Sequence, residues 1–258
     1  MKTWLRIARH VLRDILRSRI LLAFTAVMFI AAFGIFSLET SAEKAVFGLI
    51  NLVLFLVPLF ASLFTSIYVY NNVEFVQLVL SQPVKRSQLF GGIASGIGTA
   101  LIIASSGTLA GALLMYGAPA SGWLLVGMSA ALALVFTALA LGISITFRDK
   151  ARGLGTVLLT WLVLTLVYDG LMLLVVLWYA DYPLETATLV MITLNPIDIS
   201  RILLLMQFDQ SALLGFTGVF FTRFFGDGPG FAAGTAALLV WIAAPAALAL
   251  RRFNRTDW

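Results

Sequence analysis

AVFGLINLVLFLVPLFASLFTSIYVY, residues 45–70, is a run of 26 positions without a charged side chain. As a helix it would be ~39 Å long, enough to cross a hydrocarbon core of ~30 Å. The pattern recurs on either side. Span-length apolar stretches occupy residues 20–38, 91–116, 123–147, 154–180 and 231–250, so six transmembrane helices are expected. Of the 258 residues, 61% are hydrophobic and 11% charged. Soluble domains sit near about 45–50% apolar and about 25% charged. A soluble core could not hide this much apolar surface, and lipid is the expected solvent for most of the chain.

The remaining segments read as attachments to an all-α integral membrane fold. Residues 1–19 carry Arg6, Arg9, Arg13 and Arg17 at three- and four-residue spacing, opposite Trp4, Ile7, Val11, Leu12 and Ile15. That pattern predicts an amphipathic helix in the membrane interface. The following apolar run is of span length, unlike the 7–15 residues of a signal-peptide core, so no cleaved leader is expected. Residues 71–90 are mixed in character, with a short helix expected before Pro83. The fifth stretch is too long for one straight span and is interrupted at Tyr168-Asp169-Gly170. Residues 181–230 are half apolar and carry Asn195-Pro196, Asp198, Arg201, Asp209, Arg223 and Asp227. They are expected to form short helices outside the membrane or re-entering it, before span six at 231–250 and a basic tail at 251–258.

Orientation follows from charge. With the N terminus inside, fourteen Lys and Arg residues fall on the cytoplasmic side. Three, Lys44, Arg201 and Arg223, fall outside with most of the acidic loop residues. The positive-inside rule therefore places both termini in the cytoplasm. The net charge of +5 is distributed around the spans and forms no nucleic-acid patch. The chain has no cysteine and one histidine, His10, which leaves soft-metal ligands scarce and bound copper hard to support.

Glu74-Phe75-x-x-Leu78-Val79-Leu80-Ser81-x-Pro83-Val84-x-Arg86 resembles the first cytoplasmic loop of type-2 ABC transporter permeases. The resemblance implies a coupling helix, with Glu74, Phe75, Leu78, Val79 and Pro83 docking on a separate ABC ATPase dimer. A short amphipathic helix offers an apolar ridge to a partner's groove; an ordinary interfacial loop helix would read the same. No G-x-x-x-x-G-K-[ST] occurs, so ATP and Mg are expected on the partner and no cofactor on this chain.

Leu194-Asn195-Pro196-Ile197-Asp198-x-x-Arg201, with the FDQSALLGFTG stretch from Phe208, is similar to NosY-type permeases. Those are the membrane subunits of the ABC system that matures nitrous oxide reductase at its copper sites. The resemblance implies a homodimer in the bacterial inner membrane and a periplasmic β-helical accessory protein. On it, Asn195, Pro196, Asp198 and Arg201 are the expected contacts for that protein. Asn-Pro also simply starts helices, with an acidic residue near the positive end.

Asp169 is the acidic residue inside the fifth apolar stretch. It is read either as lining a cavity or acting as a conformational lock, or as lying near the outer interface where Gly170 breaks the span. Gly92, Gly96 and Ala100, and Gly107 and Gly111, have the small-xxx-small spacing that allows helices to approach closely. Packing within the chain is the expected use. Other type-2 exporters, of lipid, polysaccharide or drug, remain open alternatives. An intramembrane enzyme would need converging polar groups, and Asp169 and hydroxyls are all that the spans offer. A secondary transporter would show inverted repeats or charged midplane sites, and neither is detected.

Overall fold

The computed structural model describes residues 3–117, 119–179, 185–206 and 228–256, and no strand occurs among them. The helices are α1 (Thr3–Leu16), α2 (Arg19–Leu38), α3 (Ala42–Asn71), α4 (Val73–Leu80) and α5 (Arg86–Tyr116). They continue with α6 (Ala120–Thr146), α7 (Lys150–Trp178), α8 (Glu185–Thr193), α9 (Pro196–Leu205) and α10 (Gly228–Arg255). Six of these, α2, α3, α5, α6, α7 and α10, are long and apolar enough to cross a membrane. Helices are the natural form in lipid because every backbone polar group is satisfied within the segment. Even Pro58 is absorbed inside α3, where it is buried.

α6 lies centrally, against α3, α5, α7, α9 and α10. Its seam with α3 includes a buried hydroxyl pair, Ser144 Oγ donating to Ser66 Oγ at 2.8 Å. α5 ends at Gly117, whose φ of 88° is a backbone conformation that favours glycine. The start of α1, the end of α10, α4 and the α6–α7 connection share one end of the bundle. There Arg86 reaches the carbonyls of Asn254 and Thr256, and Tyr70 reaches that of Phe147.

α1 does not stand apart from the spans. A Cβ at Gly92 would lie 2.7 Å from Ile7 Cγ2, and one at Gly96 would lie 2.7 Å from the Val11 Cβ. Equal four-residue steps in both helices mean that α1 and α5 run alongside each other. The apolar stripe of α1 is thus covered by α5, with Val11 and Ile15 fully buried. Arg6, Arg9, Arg13 and Arg17 stay exposed, as do Trp4, Leu5 and Leu16. Small-residue spacing at Gly92 and Gly96 serves packing within the chain, whereas Gly107 and Gly111 have nothing within 4 Å.

α7 passes through Gly170 as one helix, with a five-residue π-turn at Val163–Val167 just before it, so Gly170 does not break the span. Asp169 consequently sits ~14 Å inside the Trp178 end. Between α7 and α10, α8 and α9 form a hairpin bent by 111° at Leu194-Asn195. Its tip is deep: Asn195 bonds the carbonyl of Leu164, midway along α7, and Trp241, midway along α10, bonds the carbonyl of Thr193. The stretch from Phe208, with Asp209, Arg223 and Asp227, lies outside the described residues, as does Asp181.

Candidate functional site

The first candidate surface is α4. Glu74 occupies its first turn, where a negative charge suits the helix dipole, and Pro83 follows two residues after Ser81 ends it. Val76 and Val79 are buried against the bundle, and Phe75 is half-buried with its ring stacked on His10 at 5.8 Å. The opposite face presents Glu74, Gln77, Ser81, Gln82 and Pro83, with Leu78 61% exposed. The five residues singled out from the sequence therefore divide. Phe75 and Val79 anchor the helix, and Glu74, Leu78 and Pro83 form its outward ridge. An exposed leucine flanked by polar groups on a fixed helix is what a partner's groove can grip.

Around this ridge the end of the bundle is fastened by groups from distant parts of the chain. Arg86 Nη1 donates to the carbonyls of Asn254 at 3.0 Å and Thr256 at 2.9 Å, satisfying orphan acceptors at the end of α10. Phe90 meets the ring of Phe253 at 5.6 Å. The Tyr70 hydroxyl donates to the Phe147 carbonyl at 2.8 Å, Lys150 Nζ to Asn71 Oδ1 at 3.0 Å, and Arg252 to the Thr146 hydroxyl. Gly153 is required under Tyr70, because a Cβ there would overlap the hydroxyl. A cavity of about 240 Å³, lined by Tyr70, Gln77, Ser144, Phe147 and Arg148, lies beside α4. These bonds tie the end of α3 and the start of α5, which flank α4, to α6, α7 and α10.

The second candidate is the charged cluster between the hairpin and α7. Asn195 caps α9 by accepting from the Ile197 amide at 3.1 Å, and Pro196 takes the first helical position. Its Nδ2 also donates to the Leu164 carbonyl and to Asp198 Oδ2, both at 2.8 Å. The Leu164 carbonyl lies in the π-turn, where the regular ladder is loosened and an extra donor can enter. Arg201 Nη1 bridges Asp198 Oδ1 at 3.0 Å and Asp169 Oδ2 at 2.9 Å. Charges at this depth are costly unless paired, and the cluster pairs them. A cavity of about 430 Å³ opens beside it, lined by Asp169, Met172, Leu173, Ile192, Arg201 and Leu205 among others.

This burial corrects one expectation. Asn195, Pro196 and Asp198 are enclosed by the protein and present no face to an external partner. The Asn-Pro pair starts a helix at the bottom of an inserted hairpin, not at an outer surface. Arg201 retains partial exposure, towards the cavity. Asp169 belongs with these residues, which the sequence had kept apart. The i, i+3 spacing of Asp198 and Arg201 signals their pairing locally. Nothing local signals the bond from Asn195 to Leu164 or the carbonyls held by Arg86.

The chain is 32% identical over 231 residues to the probable ABC transporter permease protein NosY of Pseudomonas aeruginosa, covering 81% of this chain and 84% of that protein. It is also 32% identical over 228 residues to the probable ABC transporter permease protein NosY of Stutzerimonas stutzeri, covering 80% and 82%. No protein-family model matches the chain.

Proposed function

The chain belongs to the NosY family of ABC transporter permeases, and on that premise we propose that it couples ATP hydrolysis in a separate subunit to movement across the membrane through α4. It is a multi-pass membrane protein and, as an ABC permease, works with an ATPase. The observation that carries the coupling reading is the ridge of Glu74, Leu78 and Pro83, exposed on a helix pinned from behind by Val76 and Val79. ATP and Mg belong to the partner in this reading. The basic residues gathered at the end that carries the start of α1 and the end of α10 support placing that end in the cytoplasm and the protein in the inner membrane. A second copy completes the transporter, and a periplasmic β-helical protein meets its outer face. Copper-site maturation of nitrous oxide reductase is the process the assembly serves, as conduit or as mechanical transducer. The support for these last points is the resemblance in residues 194–201.

The test uses the chain co-expressed with the ATPase of its operon. Glu74→Ala with Leu78→Asp should weaken ATPase association at least ~30-fold, the loss of a central interface contact. Co-purification and ATP turnover are the readouts. A double variant that assembles and turns over like the parent removes the coupling assignment.

A further inference from the structure

The two halves of α7 are held differently. Its inner half packs on α3 and α6 and buries Gly153, Val157 and Trp161. Its outer half, Tyr168–Trp178, buries no residue. The π-turn at Val163–Val167 separates them. π-turns inside helices recur where a helix bends or works. Within the turn, Asn195 fixes the Leu164 carbonyl to the hairpin; just beyond it, Asp169 reaches Arg201, and the Tyr168 hydroxyl donates to the Met191 carbonyl at 2.6 Å. Beyond these bonds the wall between α7 and the hairpin is the cavity of about 430 Å³.

The charge arrangement suits a bond that opens. Two carboxylates share one guanidinium. The Asp198 side chain is 5% exposed and keeps both Arg201 and Asn195 as partners, whereas Asp169 is 38% exposed. If Asp169 withdraws, Arg201 remains paired with Asp198, so the two more enclosed charges keep each other. The carboxylate left without a cation is the more exposed one, which lines the cavity. Losing Asp198 instead would strand a buried ion, a far costlier event.

We propose that the outer half of α7 is a gate, hinged at Val163–Val167 and latched to α9 by Asp169–Arg201, with Asp198 and Asn195 as positioning residues that hold Arg201 in place. The gate rests on the permease reading for what drives it. Motion starting at α4 reaches α7 through Tyr70, which lies over Gly153 and bonds Phe147, and through the Lys150–Asn71 contact. Opening the latch widens the cavity between α7 and the hairpin without disturbing the inner half.

Because the chain has no cysteine, a pair of spin labels at Leu173→Cys and Leu205→Cys, on opposite walls of the cavity, reports this distance directly. In the full chain in nanodiscs, Asp169→Ala should lengthen and broaden the distance by the order of one helical turn, ~5 Å. Asp169→Glu, which keeps a carboxylate for Arg201 and leaves the Asp198–Arg201 pair untouched, should stay near the parent distribution. A distribution in Asp169→Ala identical to the parent, or one in Asp169→Glu as long and broad as in Asp169→Ala, overturns the latch. With the ATPase bound, turnover on Mg-ATP should produce the same lengthening. A distance that stays fixed while ATP is hydrolysed overturns the gate and leaves the coupling reading intact. Failure of the ATPase to co-purify strikes the coupling reading instead, and the Asp169→Ala comparison still decides the latch.

Discussion

α5 and α7 are nearly equal in length, and each carries a five-residue π-turn, at Ile103–Gly107 and Val163–Val167. Over its most apolar stretch α5 is 56% buried and α7 11%, although α7 is the more apolar of the two. Hydropathy decides whether a helix enters the membrane. What it packs against there is decided by shape, since lipid and leucine are equally apolar. α5 offers Gly92 and Gly96 and is gripped by α1, α2 and α6. α7 keeps Gly153 under Tyr70 in its inner half, but Gly170 in its outer half has nothing within 4 Å, and that half is tied to the hairpin by polar groups instead. α5 is held by close contact, the outer half of α7 by a few directed bonds.

That contrast would break most visibly at Arg201. Arg201→Ala leaves Asp198 buried without its cation and should cost about 3 kcal/mol, the low end for a broken buried pair because Arg201 is 31% exposed. The midpoint of thermal unfolding in detergent measures it, and a change within ~0.5 kcal/mol would mean that directed bonds do not hold the hairpin.

A smaller loss is expected at the glycine seam. Gly96→Val drives methyl groups into Val11 and the Ala8 carbonyl and should cost ~1–3 kcal/mol. It should also expose α1, so that trypsin cleaves faster after Arg13 and Arg17. Unchanged cleavage would show that α1 docks without the seam.

The smallest effect belongs to Gly170→Ala. With nothing within 4 Å, the added methyl should leave stability unchanged or raise it by up to ~1 kcal/mol through helix propensity. A clear loss would sharpen the comparison differently, by showing that something outside this chain packs on α7.

Much of this molecule is legible along the chain. The spans expected at 20–38, 45–70 and 91–116 fall within helices α2, α3 and α5, and the one at 123–147 overruns α6 by a single residue, Phe147. α4 was legible from Glu74 and Pro83, which mark its two ends. The inward turn of Phe75 and Val79 was not, because it depends on where His10 and the bundle lie. Asp169 stood out as an anomaly in an apolar run. Its partner, 32 residues away, was read as facing outward, since no spacing rule links a span to an inserted hairpin. The hairpin itself was half visible: Asn195-Pro196 announced a helix start, and its depth beside Leu164 and Trp241 did not show.

Sequence alone determined the number of spans, the gathering of basic residues at one end and the absence of a nucleotide-binding motif. Transfer of side chains into lipid is a local, nearly additive property, readable residue by residue. Tertiary structure decided which glycines become a seam, which face of α4 is free, and that Asp169, Asp198, Asn195 and Arg201 form one cluster. Those depend on shape and on pairing between groups far apart in the chain, which acquire a geometry only once the helices have packed.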